Sequence, residues 1–286
     1  MSDDATSAGP DELRRASRRA WGALETLHVL GYFAPAVRDA YVALGLHPRL
    51  SYFAARSAAF GPVGPAVPTA TFYVFSPRLY ELALPASWSV ASPEQVQRTR
   101  REAMAGVLEQ VIGDVDLTEL LELATTACDG LTPPGRPLYA AHAALDRPHD
   151  PRVALWHAAT LLREHRGDGH VAVLLRQRLD PVESLVLGGL FSGNTEFVRT
   201  TRGWTDEQWD AGTRRLERRG LVHDAALTGD GLAFRRRVER ETDDLALEGW
   251  AHLGLEGTQR VVELATPLRE RALASGILPE WVAARA

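Results

Sequence analysis

The chain has 286 residues, 45% apolar and 24% charged, with a formal net charge of −5. This balance describes a globular protein with a full core and excludes disordered and collagen-like classes. An acidic chain is also no general platform for nucleic-acid binding, so any DNA contact has to be local. The length argues for two domains. Every Lys/Arg position is Arg, and no lysine occurs anywhere. Schiff-base, PLP and Walker-A chemistry therefore lack their essential residue. The single cysteine, Cys128, excludes disulfide frameworks, thiolate zinc clusters and iron–sulfur sites, and fits a reducing cytoplasm. No apolar run is long enough for a membrane span, and Met1 to Glu12 lacks the basic and apolar regions of a signal peptide, so no membrane partner and a cytoplasmic location are expected. Arg in place of Lys, with abundant Ala, Leu and Val, suggests a GC-rich genome.

Residues 1–12 are small and polar and read as a flexible tail. From Leu13 to Leu46 apolar residues recur at helical spacing, with Gly31 and Pro35 separating two helices, the second ending at Gly45. Phe60 to Phe75 holds three prolines and two glycines and reads as an ordered loop. A helix follows Ser76-Pro77, and Ser92-Pro93 starts another that runs to about Ile112. A further helix runs from about Leu117 to Asp129-Gly130. Thr132-Pro133-Pro134-Gly135 is the clearest linker, giving an N-terminal helical domain over 13–130 and a C-terminal one over 131–286. Helices are expected over 138–145, from Pro151 to about Leu175, and from Pro181 to about Phe191. Thr205-Asp206-Glu207-Gln208 is a capping box, and its helix stops at Gly220. Alternating apolar runs are almost absent, so the fold class is mainly α.

The segment from Trp204 to Ala246 resembles the recognition helix, wing and following helix of MarR-type winged-helix proteins. The closest points are Arg215 to Val222 (RLERRGLV) and Leu227 to Gly231 (LTGDG). With FSPRL around Pro77 and LREHRGDGH from Leu162 to His170, the chain also resembles an actinobacterial helix-turn-helix-like family of unassigned function. It departs from that family's pattern at Val74 and His142, where Asn is usual. The resemblance implies two helical lobes, the C-terminal one on a winged-helix-like core. It also implies a DNA-binding regulator with an effector pocket, usually a homodimer.

The residues argue against DNA at two points. The recognition-helix start carries Asp206, Glu207 and Asp210, which phosphates repel. Between Val222 and Leu227 only four residues remain, none of them Arg, so the wing is reduced. The candidate DNA contacts are Arg214, Arg215, Arg218 and Arg219, at the helix's far end. Their alternative role is in solvated or ion-paired helix faces.

The densest polar cluster is Arg163-Glu164-His165-Arg166-Gly167-Asp168-Gly169-His170, between the apolar runs Leu155–Leu162 and Val171–Leu175. Its two glycines imply a kink, a break or a close backbone approach. On an unbroken helix His157, Glu164 and Asp168 share one stripe, with Arg163, Arg166 and His170 opposite. Such a cluster suits acid–base work by His170, His165 and Asp168, with Arg163 and Arg166 clamping an anion. His157, Glu164 and His142 join the candidate ligand set, as do Tyr73 and Phe75 in the aromatic loop. A buried ion-pair network explains the same residues. A metal site is not expected, because the metal-type spacings are missing. No dinucleotide cofactor is expected either, because Gly188, Gly189 and Gly193 follow no strand. The function expected is binding of a small molecule, extending to cofactor-independent acid–base catalysis in specialised metabolism, with the MarR-type regulator as the alternative.

Overall fold

The structure is a computed structural model that describes residues 10–283. The protein is mainly α, as expected. The first run comprises α1 (Pro10–Phe33), α2 (Pro35–Ala43), α3 (Ser51–Ser57), α4 (Ala66–Phe72), α5 (Pro77–Val90), α6 (Pro93–Ile112) and α7 (Thr118–Asp129). After the Pro133-Pro134 loop come α8 (Pro137–Ala143) and the long α9 (Pro151–Arg176). Next are α10 (Pro181–Ser192), α11 (Thr195–Thr201) and α12 (Asp206–Arg218), followed by the hairpin β1 (Val222–His223) and β2 (Ala226–Leu227). The chain closes with α13 (Gly229–Leu245), α14 (Glu248–Ala274), which breaks its backbone at Gly254 (φ 83), and α15 (Glu280–Ala283).

Local chemistry explains most boundaries. Ser92 and Thr205 each form the full capping box, with the Gln three residues on reaching back to the cap N–H. Asp180 does the same with Glu183 at the start of α10. Two expectations need correction. Asp11 and Glu12, placed in a polar tail, sit in the first turn of α1, while residues 1–9 lie outside the described residues. The expected loop over Phe60–Phe75 contains α4: Pro65 is its N-cap and Pro68 falls in its first turn. There a missing N–H costs the helix nothing.

Two hydrophobic clusters organise the packing. The larger joins α1 through the first half of α9 to α14, around the buried Leu24, Leu27, Tyr80, Met104, Leu155 and Leu268. The smaller joins the end of α9 to α10, α11, α12 and α13, around Leu187, Trp209, Leu216, Phe234 and Val238. Helix α9 belongs to both, giving Leu155 to Leu162 to the first and Val173 and Leu174 to the second. The loop after α4 provides a second tie. Tyr73, at a positive φ of 53°, donates its hydroxyl to Leu179 C=O (2.5 Å); Ser76 N–H donates to Arg202 C=O (2.9 Å); Trp204 Nε1 donates to Val74 C=O (2.9 Å). The β1–β2 hairpin is the shortest kind, turning through Asp224 and Ala225, both at positive φ.

Helix α14 lies so close to α7 that a Cβ on Gly249 would sit 2.3 Å from the Ala127 carbonyl oxygen. Backbone cannot yield as a side-chain tip can. Gly249→Ala is expected to destabilise the protein by about 1–3 kcal/mol. Urea unfolding checks this, and an unchanged midpoint would refute the close packing of α7 on α14.

Candidate functional site

A cavity of about 1250 Å³ opens between the two clusters. Helix α1 gives it one continuous face: Arg18, Trp21, Gly22, Glu25, Val29 and Tyr32 recur at spacings of one, three and four residues and all line it. Aromatic rings of Tyr52, Phe53, Phe75, Phe197 and Trp281 complete much of the wall. Phe197 and Trp281 pack with ring centroids 4.6 Å apart, and Phe53 meets Phe75 edge-on at 5.4 Å. Eight arginines line the cavity against only two glutamates, Glu25 and Glu239.

The arginines fall into three electrostatic settings. Arg166 and Arg18 both bridge Glu239 and Asp243 at 2.6–3.0 Å, and Arg235 reaches Glu239 at 2.5 Å. Arg166 also lies over the Trp21 ring, 4.4 Å from its centre. Burial opposes ionisation of Glu239, but Arg235, Arg166 and Arg18 outweigh it and hold the carboxyl well below the usual carboxylate range. In the second setting, Arg163 pairs with Glu164 (2.9 Å) and Glu25 (3.2 Å), and Arg56 approaches Glu164 at 3.4 Å. Burial pushes the Glu164 carboxyl up, yet Arg163 and Arg56 bring it down to about 2. Glu25 moves the other way, raised by burial that Arg163 only partly offsets.

Arg202 is different. It caps α11, donates to Thr201 Oγ1 (2.6 Å), and places its guanidinium 4.7 Å from the Phe75 ring centre and 5.3 Å from that of Phe197. No carboxylate among the described residues pairs with it, and its buried Nε has no hydrogen-bond partner. Burial lowers its pKa from the ordinary arginine value, with the nearby Tyr52 and Tyr80 working in the opposite direction.

Of the residues singled out in the sequence, Arg163, Arg166 and Phe75 line this cavity. Tyr73 lies behind it, tying the α4 loop to Leu179. Helix α9 is unbroken, so the stripe of His157, Glu164 and Asp168 exists, but its members answer different partners. His157 faces a small void beside Cys128, Glu164 meets Arg56 and Arg163, and Asp168 Oδ2 accepts the Leu138 and Tyr139 N–H groups at the start of α8. His165 Nε2 lies 3.0 Å from Glu248, and its ring meets Tyr139 edge-on. His170 Nδ1 lies 2.9 Å from Thr242 Oγ1; that hydroxyl already donates to Val238 C=O, so the imidazole is the donor. His142 is buried at the end of α8. Neither glycine of the cluster breaks the helix, and Gly169 marks a close approach: a Cβ there would lie 2.1 Å from Arg136 Nη1, which donates to His165 C=O, whereas one on Gly167 would meet only Glu164 Oε2 at 3.7 Å.

Sequence reasoning missed Glu25 and Arg202. The face of α1 that runs beside its apolar stripe was a usable signal for Glu25. Arg202 had none, because its isolation from carboxylates is a tertiary property.

The candidate DNA-facing arginines divide as well. Arg215 pairs with Asp180 and lies 3.5 Å from Glu183, while Arg219 donates to Gln177 C=O (3.2 Å) and stacks over Phe234. Arg214 and Arg218 are exposed and have no ion pair among the described residues. In the first turns of α12, Asp206 and Asp210 are both held by Arg199.

A protein-family model described as a helix-turn-helix family matches residues 17–279, nearly the whole described chain. The chain belongs to this helix-turn-helix family. Comparison with curated proteins and with solved structures found no match. The family match covers both hydrophobic clusters, and the cavity is walled partly by α10 and α11 within the matched span. No helix among the described residues is long and apolar enough to cross a membrane.

Five histidines, His28, His142, His157, His165 and His170, are held below their ordinary value of 6.5, mainly by burial; His142 falls to about 3, and His157, His165 and His170 to about 4. The unfolded chain binds more protons at these sites between pH 6.5 and about 4, so stability falls as pH falls through that window. Asp168, raised by burial to about 6, and Glu25, also raised by burial, act oppositely but are fewer. The melting temperature is expected to drop by more than about 5 °C between pH 7 and pH 5. Calorimetry showing a flat profile would contradict the burial of the neutral histidines.

Proposed function

We propose that the protein binds a small organic molecule with an extended aromatic or apolar body in the cavity between its two hydrophobic clusters, on a winged-helix-like scaffold. The observation that supports this is the cavity itself: about 1250 Å³, walled by aromatic rings with a few fixed charges among them. Ligand sites have this makeup, and their usual volumes of several hundred Å³ fit inside it. Both chain regions contribute, with Trp21 and Tyr32 from α1 facing Phe197 from α11. The reading stops at binding. The acid–base candidates His165, Asp168 and His170 turn toward α14, α8 and α13, away from the cavity wall.

The second reading is a MarR-type DNA-binding regulator whose effector fills the cavity. Family membership favours it, as do the exposed Arg214 and Arg218. Against it stand the acidic first turns of α12, the commitment of Arg215 and Arg219 to intramolecular partners, and a two-residue hairpin turn that carries no arginine. Fluorescence anisotropy of a labelled random duplex separates the readings. We expect no salt-sensitive binding at protein concentrations of about 1–100 μM. Binding that weakens steeply with salt would establish the regulator and make the cavity its effector site.

Gly22 gives the direct test of the cavity. It lines the space, and a Cβ there meets nothing within 4 Å. Gly22→Phe is expected to put a ring into the cavity and narrow it while gaining about 0.5 kcal/mol of helix stability. The neutral probe 1-pyrenebutanol, followed by energy transfer from the lining Trp21 and Trp281, should bind the natural chain more tightly than this variant. Equal binding to both would place the probe elsewhere and remove the basis for the proposal.

A further inference from the structure

We infer that the cavity selects molecules carrying an acid group, a carboxylate or its equivalent, and that Arg202 is its receptor. This inference rests on the cavity being a ligand site and adds the chemistry of the ligand's polar end.

Arg18, Arg166 and Arg235 share Glu239 and Asp243, and Arg163 is paired with Glu164 and Glu25, so these four guanidinium groups already have carboxylates. Arg19 and Arg49 lie exposed, where water solvates their charge. Arg202 and Arg269 are both half-buried with no carboxylate partner among the described residues, but of the two only Arg202 has a shielded nitrogen without a partner and is held against aromatic rings. Two aromatic faces, Phe75 and Phe197, hold the guanidinium and offset part of its desolvation. Of the in-plane donors, Nη1 is given to Thr201 Oγ1 and Nε is shielded without a partner, which leaves Nη2 with no protein acceptor among the described residues. A permanently charged guanidinium with an unused donor on a cavity wall suits a carboxylate, which accepts a charge-assisted hydrogen bond from it. The same two rings would lie along the ligand's body.

The position is built, not accidental. Arg202 C=O accepts from Ser76 N–H at 2.9 Å, and the next residue, Gly203 (φ 76), leaves no room for a side chain against Leu79, where a Cβ would lie 2.7 Å away. The backbone on both sides of the guanidinium is therefore pinned.

The test uses a matched pair, 1-pyrenebutanoic acid and 1-pyrenebutanol, titrated into the full chain by tryptophan-to-pyrene energy transfer. The natural protein is expected to bind the acid at least about tenfold more tightly than the alcohol. Arg202→Gln should bring the two affinities together by weakening the acid alone, whereas Arg269→Gln should leave most of the preference. Retained alcohol binding shows that the Arg202→Gln variant folds. Should it not fold, the natural chain still decides: modification of Arg202 by phenylglyoxal, read by peptide mass spectrometry, should slow with saturating acid and not with alcohol. Binding of neither probe would fail the cavity reading itself. Equal affinities in the natural chain, a preference that survives Arg202→Gln, or no protection of Arg202 would overturn the acid-receptor assignment and leave the cavity reading in place.

Discussion

Helix α9 crosses the middle of the protein while carrying His157, Thr160, Arg163, Glu164, His165, Arg166, Asp168 and His170, and almost everything around it is arranged to satisfy them. A buried ion costs several kcal/mol unless it is paired and hydrogen-bonded. The neighbouring helices meet that demand one by one. Helix α3 supplies Arg56 for Glu164, the start of α8 supplies two N–H groups for Asp168, α13 supplies Glu239 and Asp243 for Arg166, and α14 supplies Glu248 for His165. The packing of both hydrophobic clusters on one helix follows from this, because each cluster brings the partners for its own half of α9.

The same network extends to the cavity through a hydrogen-bonded chain. Arg56 donates to the Tyr32 hydroxyl, whose oxygen lies 2.7 Å from His28 Nε2; His28 Nδ1 lies 2.9 Å from Thr160 Oγ1, and that hydroxyl donates to Trp156 C=O. Because the Thr160 proton is already committed, His28 must donate from Nδ1 and accept at Nε2. That fixes the tautomer and leaves the Tyr32 ring standing on the cavity wall. Charge satisfaction inside the core thus sets the orientation of a lining aromatic. An all-arginine chain suits this architecture. Each guanidinium can hold two carboxylates and lie on a ring at once, as Arg166 does with Glu239, Asp243 and Trp21.

What was legible in the sequence is what is local. The helix start at Ser92-Pro93, the capping box at Thr205, the reduced wing and the mainly helical class depend on residues a few positions apart. The density of charge from Arg163 to His170 also marked the centre of the structure correctly. Its meaning was not local. The wheel stripe of His157, Glu164 and Asp168 is present, but three different elements cover it, so shared direction did not produce a shared site. Gly169 left a choice between kink and close approach that only the position of Arg136 resolves, and no close contact accounts for Gly167. Arg202 shows the limit most clearly: a guanidinium becomes distinctive through the carboxylates that are absent around it in space, which no spacing encodes.

The two ties between the hydrophobic clusters are unequal, and this matters for how the cavity relates to the smaller cluster. Helix α9 is continuous and buried in both clusters, so it fixes their separation. The α4 loop joins them through three hydrogen bonds, two of which end on Arg202 C=O and the Trp204 ring, the residues that lead from α11 into α12. Phe75, on that loop, and Phe197, on α11, both contact the Arg202 guanidinium. An acid group seated there would bind the seam itself. It would add a charge-assisted contact to a junction that otherwise rests on hydrogen bonds and cation–π contacts, and so stiffen the turn that orients α12.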